Sequence, residues 1–232
     1  VEGLVQAMGV TDISKSQVSE MAKSLDNLVD DFRNRRLDQG PYPYLWLDAM
    51  TQRCREGGHV VNVVTVTAIA VNQEGRREIL GMDVFTSEDQ AAWTEFLRGL
   101  VERGLNNVQL VISDAHEGLK AAIASELSGA AWQRCRAHFA RNLLTRVPKS
   151  AQDFVAALVR SIFAQPNAEE AWAQHKRVVE QLANRFTNAA DLLEEAGPDV
   201  LAYTGFPKQH WRQIWSNNPQ ERFVREIRRR TD

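Results

Sequence analysis

Three acidic residues stand where carboxylates are unusual. Asp48 closes the apolar run YLWLD, Asp114 closes VQLVISD, and Glu221 lies just inside SNNPQERFVREIRRR. A short apolar run reads as a strand buried on both faces, and a charge at its end is costly unless something pairs with it. Two neighbouring carboxylates repel, so one of them ordinarily keeps a proton. A divalent cation removes that conflict. Magnesium takes oxygen ligands, commonly one or two carboxylates together with water and phosphate oxygens. Two such ions clamp the attacking and leaving oxygens of a phosphodiester displacement, and that chemistry calls for a third carboxylate from another element. Each residue also has a plainer reading. Asp48 ends a strand before a loop, and Asp114 caps the helix of HEGLKAAI. Glu221, with Asn218 and Pro219, makes a capping box with an N1 proline. Glu226, five residues further on, competes as third ligand from a different side of the helix.

The elements that must position these residues can be read from periodicity. YLWLD, HVVNVVTVTAIAV and REILGMDVF are three strand runs, separated by the turns CREGGH and NQEGRR, and they form an antiparallel meander. TSEDQAAWTEFLRGLVERG is a helix in which Ser87 and Gln90 make a capping box and Gly104 ends the element. VQLVISD is the fourth strand, AHEGLKAAIASEL a helix, AAWQRC a short fifth strand and RAHFARNLLTRV a helix. From Lys149 to about Gln213 the pattern is helical or loop, and a last helix opens at Asn218. The order βββαβαβα is the plan of ribonuclease-H-like domains. The expected fold class is therefore α/β: a mixed five-stranded sheet flanked by helices, with an all-helical insertion before the last helix. In that plan the first and fourth strands are parallel neighbours at the centre, so Asp48 and Asp114, at their C-terminal ends, come together.

Residues 11 to 37 read as a helix with Val18, Met21, Leu25, Leu28, Val29 and Phe32 at spacings of three and four. The stretch GVTDISKSQVSEMAKSL is similar to the second half of a helix-turn-helix, although an ordinary amphipathic helix is the better reading. The expected organisation is a helical segment over 1–40, a catalytic core over 41–150, the insertion over 151–213 and the final helix over 214–232.

The bulk numbers narrow the classes. The 232 residues are 44% apolar, enough for one sizeable domain, and the two cysteines are too few for a disulfide framework. No apolar run reaches the length of a membrane span, and no signal peptide is visible, so a cytoplasmic setting is expected. The first residue is Val and the last lie inside a helical pattern, so the sequence reads as a fragment. The net charge of −2 argues mildly against nucleic acid, but its distribution does not. No acidic residue occurs between Leu127 and Gln152, where Arg134, Arg136, Arg141, Arg146 and Lys149 fall, and ERFVREIRRR is also arginine-rich. A phosphate backbone needs only a local positive surface; the plainer reading is the solvated faces of helices.

Cys135 and His138 have metal-ligand spacing, but a structural zinc needs four ligands and Cys54, His59 and His116 form no matching pair. Cys135 then packs at a strand end, and His138 lies with Arg141 near a DNA path. Trp132 fills core rather than stacking on a base. There is no glycine-rich phosphate loop and no GxSxG elbow, and a cysteine–histidine nucleophile lacks an orienting group.

From about Leu25 to Thr231 the chain resembles the Mutator-like transposases of bacterial insertion sequences, within the DDE superfamily. The stretches that carry this are YPYLWLDAM, GRREILGMDVFTSEDQAAWTEFLRGLVERGL, VQLVISDAHEGLKAAI, AAWQRCRAHFARNLL, FPKQHWRQIWS and NPQERFVREIRRRT. The resemblance implies an Asp-Asp-Glu triad on Asp48, Asp114 and Glu221, holding two Mg2+ (or Mn2+) ions. It implies DNA cleavage and strand transfer at terminal inverted repeats and a target, and a homo-oligomer on DNA with no membrane partner. Arg136, His138, Arg141 and Arg225 are the expected DNA contacts. The family's Cys-x-x-His signature falls on Cys135 and His138, its helical insertion on Ala151 to Gln213, and the N-terminal helix on the end of a DNA-binding region. Three departures stand out: Asn217 for a threonine, Gln220 for a leucine, and Phe223-Val224 for Leu-Asn. The alternative is a truncated, catalytically silent transposase fragment that binds DNA or the full-length enzyme.

Overall fold

Alternating β-branched and aromatic residues set the sheet, and its edges are drawn by where partner strands stop. The computed structural model describes residues 14–231, with the side chains of Glu56, Pro219, Glu221, Arg222, Arg230 and Thr231 outside that description. The chain divides into two units, residues 1–36 and 37–232. In the first, helix α1 (Lys15–Asn34) starts at Ser14, whose hydroxyl accepts from Gln17 N while the Gln17 side chain accepts from Ser14 N. Residues 9–13 of the helix-turn-helix-like stretch lie outside the described residues.

The second unit holds a five-stranded sheet in the order β3-β2-β1-β4-β5. Its strands are β1 (Tyr44–Glu56), β2 (His59–Val71), β3 (Arg77–Phe85), β4 (Leu110–Ser113) and β5 (Ala131–Arg134). β1, β2 and β3 pair antiparallel, whereas β4 runs parallel to β1 and β5 parallel to β4. This is the ribonuclease-H-like strand order. Helices α2 (Gln90–Glu102) and α3 (Glu117–Glu126) cross on one face. On the other face lie α4 (Arg136–Leu144), α5 (Gln152–Phe163), α6 (Ala168–Ala183), α7 (Thr187–Glu195), α8 (Gly197–Val200), α9 (Trp211–Ile214) and α10 (Asn218–Thr231).

Alternation along β1 and β4 divides the core in two. Leu45, Leu47 and Val111 join Trp93, Leu97 and Leu119 beneath α2 and α3. Tyr44, Trp46, Leu110 and Ile112 join Phe139, Val155, Leu193 and Tyr203 on the other side. The helical insertion thus shares its core with the sheet and is anchored to the face opposite α2 and α3.

Two local expectations are corrected. The N-cap of α2 is Asp89, whose carboxylate accepts from Ala92 N at 2.9 Å, while Ser87 donates to Asp89 at 2.6 Å. A carboxylate suits the positive end of a helix better than a hydroxyl. β1 is also far longer than YLWLD. It continues through TQRCRE to a two-residue turn at Gly57 and Gly58, which have φ of 55° and 85° as such hairpins require. That polar stretch has no apolar alternation to announce it, and its pairing with β2 holds it.

α3 approaches the start of α2 through Gly118, where a Cβ would lie 2.7 Å from Gln90 N. Backbone cannot move aside as a flexible side chain can. Gly118→Ala is therefore expected to destabilise the domain by about 1–3 kcal/mol. The check is the midpoint of urea unfolding at unchanged slope.

Candidate active site

The parallel ladder between β1 and β4 ends at the pair Trp46 and Ile112. Two residues further along each chain stand Asp48 and Asp114. They have the parity of Trp46 and Ile112, so they leave the sheet on the insertion side. Asp48 is not at the end of its strand, as expected from sequence, but in its middle, paired with Thr67 of β2. What ends there is the neighbour. β4 stops at Ser113, and the gap beyond it opens beside Asp48. Asp114 is not a helix cap. α3 is capped by His116, whose Nδ1 accepts from Leu119 N at 3.2 Å.

An open cleft of about 330 Å³ forms here, with Asp48, Asp114, His138, Arg141, Arg225 and Arg228 among its walls. Asp114 Oδ1 lies 2.6 Å from His138 Nδ1. Burial pushes the Asp48 carboxyl up to about 6, Asp114 and Glu88 add to this, and His138 opposes it. The His138 imidazole is pushed up to about 10 by its contact with Asp114 and then by Cys135, against the effect of burial. The cleft thus sets two carboxylates beside an imidazole and three arginines, Arg141, Arg225 and Arg228.

Glu221 lies on α10 three residues ahead of Val224, another wall of the cleft. Helical periodicity sets position 221 in one row with 225 and 228; the Glu221 side chain is outside the described residues. Glu226, its competitor, pairs with Arg229 at 2.8 Å and is not among the cleft's walls. The start of α10 is tied to β1 by two side chains. Asn217 Nδ2 donates to Leu47 O at 3.0 Å, and the fully buried Gln220 donates through Nε2 to Trp46 O at 3.1 Å.

Not every expected site residue lies in this cleft. Arg136 stacks on Trp215, 3.7 Å from the ring centroid, and lines a separate apolar cleft between α4 and α5. Trp132 donates to Ser113 Oγ at 2.8 Å and carries Lys120 over its ring at 4.4 Å. Cys54 is exposed on the β1 extension and Cys135 is buried. Among the described residues no group of three or more His, Cys, Asp or Glu side chains is placed to hold a metal ion. Sequence reasoning missed two residues. Arg228 donates to Met50 Sδ at 3.0 Å and lies seven residues after Glu221, a spacing that could have marked it. Glu88 acts on Asp48 from the loop before α2, and no sequence signal announces it.

The family described as "Transposase, Mutator family" matches residues 1–232. This chain belongs to the Mutator family of transposases. Among its Mutator-family relatives, the transposase for insertion sequence element IS1081 of Mycobacterium tuberculosis is 55% identical over 100% of this chain and 56% of its own length. The transposase for insertion sequence element IS256 in transposon Tn4001 of Staphylococcus aureus is 34% identical over 99% of this chain and 59% of its own. The chain thus spans little more than half the length of these Mutator-family proteins. A solved structure, the Drosophila P element transposase strand transfer complex, is 13% identical with a TM-score of 0.34, over 62% of this chain and 39% of that one. Among the described residues of this Mutator-family chain, no helix is long and apolar enough to cross a membrane.

Proposed function

We propose that this chain is the catalytic domain of a DDE transposase, cutting DNA at the ends of an insertion sequence and joining the freed ends to target DNA. The observation that carries the reading is the placement of Asp48 and Asp114, two residues beyond the same paired position on neighbouring parallel strands and lining one cleft. Family membership supplies the reaction class. In this reading residues 1–40 end a DNA-binding region, 41–150 form the catalytic core, 151–213 the insertion, and 214–232 carry the third carboxylate.

The donor set suits a hard divalent cation. Oxygen ligands on a common face, with a carboxyl raised by burial and by its neighbours' charge, are what Mg2+ or Mn2+ relieves. Asp48, Asp114 and Glu221 would hold two such ions. Bound there, the ions supply an activated water and stabilisation of the leaving oxygen. The chain's own groups do the rest. Arg141, Arg225 and Arg228 hold backbone phosphates against the rim and align the scissile bond without reading sequence. Arg136 extends this phosphate track along the apolar cleft. His138 holds Asp114. The partners are DNA carrying terminal inverted repeats, target DNA, and further copies of the chain assembled on it, in the bacterial nucleoid.

The test is incubation with DNA carrying the element's terminal inverted repeats, beside a gel shift. Strand nicking at the repeat end with Mg2+ or Mn2+, abolished by EDTA, is the expected result. Binding without nicking in either ion would point instead to a silent fragment that competes for DNA.

A further inference from the structure

Cys135 and His138 lie at the junction of the elements that bring the site together. Cys135 follows β5 directly and is 1% exposed. Its N–H donates to Ser113 O at 2.7 Å, tying the end of β5 to the residue before Asp114. Its Sγ accepts from Asn217 N at 3.3 Å, at the start of α10. Arg136 N donates to Trp215 O at 3.0 Å, a second stitch to the same segment. One turn into α4, the His138 side chain leans back toward the helix start, as helical side chains do. There its Nδ1 lies 2.6 Å from Asp114 Oδ1, three residues after the buried Cys135. Asn217, held by the sulfur through its backbone, reaches with its side chain to Leu47 O, next to Asp48.

We infer that Cys135 and His138 are positioning residues: the sulfur fixes the start of α10 and the imidazole, and the imidazole sets the orientation of Asp114. The spacing follows from this task. On a helix, residues i and i+3 share a face, so one sulfur at the first position can face the side chain at the second while it meets the segment that opens α10. Sulfur is long enough to span the layer between α4 and the α10 segment, and it accepts weakly, without the burial cost of a charge. The pair therefore acts through the carboxylates. In metal sites, partners that orient a ligating group in this way carry much of the affinity.

This inference rests on the metal-binding reading of the cleft, and the experiment separates the two. Mn2+ is titrated into the chain and free Mn2+ followed by electron paramagnetic resonance, for the wild type, Cys135→Ala, Cys135→Ser and His138→Ala, with circular dichroism and melting curves on each. Wild-type binding is expected, weakened about 10-fold or more by Cys135→Ala and by His138→Ala. Cys135→Ser, which keeps an acceptor, recovers most of the loss. The double variant Cys135→Ala/His138→Ala is no worse than the weaker single one, because the two act in series. His138 is only half-buried, so His138→Ala carries the test alone if Cys135→Ala fails to fold. Wild-type binding with unchanged affinity in the variants overturns the positioning role and leaves the metal reading standing. A wild type that binds no Mn2+ overturns both.

Discussion

Asp48→Asn is expected to abolish metal-dependent nicking, by about a thousandfold or more, while making the metal-free domain more stable at pH 7. The substitution keeps shape and removes charge. The two effects have one cause. Burial, with Asp114 and Glu88 nearby, lifts the Asp48 carboxyl from its ordinary 3.8 to about 6. A raised acid pKa favours folding fully below the unfolded value and ceases to do so as pH rises through the folded value. The wild type therefore loses stability between about pH 4 and pH 6 relative to the variant. At pH 7 the gap is on the order of 1–2 kcal/mol at this half-buried site. Melting temperatures of the two proteins, taken from pH 4 to pH 7.5 in EDTA, are expected to diverge upward across that window. Parallel curves, or nicking retained by the variant, would contradict the assignment.

The second large effect concerns DNA. Arg225 and Arg228 stand on α10 above two carboxylates, where they offset the repulsion that a phosphate backbone would otherwise meet. Replacing both with alanine is expected to weaken DNA binding roughly 10- to 100-fold at low salt, equally for all sequences, and to lower the salt slope by about 2. Fluorescence anisotropy over a salt series measures both. A loss confined to one sequence would instead indicate base contacts.

The sheet, its crossovers and the helical block were legible because long β-branched runs and clear three-and-four periodicities specify them. That both aspartates line one cleft follows from topology, since it needs only that β1 and β4 be parallel neighbours. Other features depend on partners that sequence does not reveal. The polar half of β1 is a strand because β2 pairs with it. Asp89, not Ser87, caps α2 because the chain's path decides which of two good caps faces the helix. Asp114 escapes a capping role because His116 takes it, a competition invisible in the string DAHEG. The work of Cys135 rests on a backbone N–H 82 residues away. Gln220, read in the sequence only as a glutamine in place of a leucine, is a buried tether between α10 and β1.

In the proposed site, two strands and one helix bring three carboxylates to one divalent-metal centre. Crystals soaked in Mn2+, with an anomalous difference map, test it most directly. Two peaks about 2.1 Å from carboxylate oxygens of Asp48, Asp114 and Glu221 are expected. A well-ordered chain in which those three side chains diverge, with no anomalous peak among them, would contradict it.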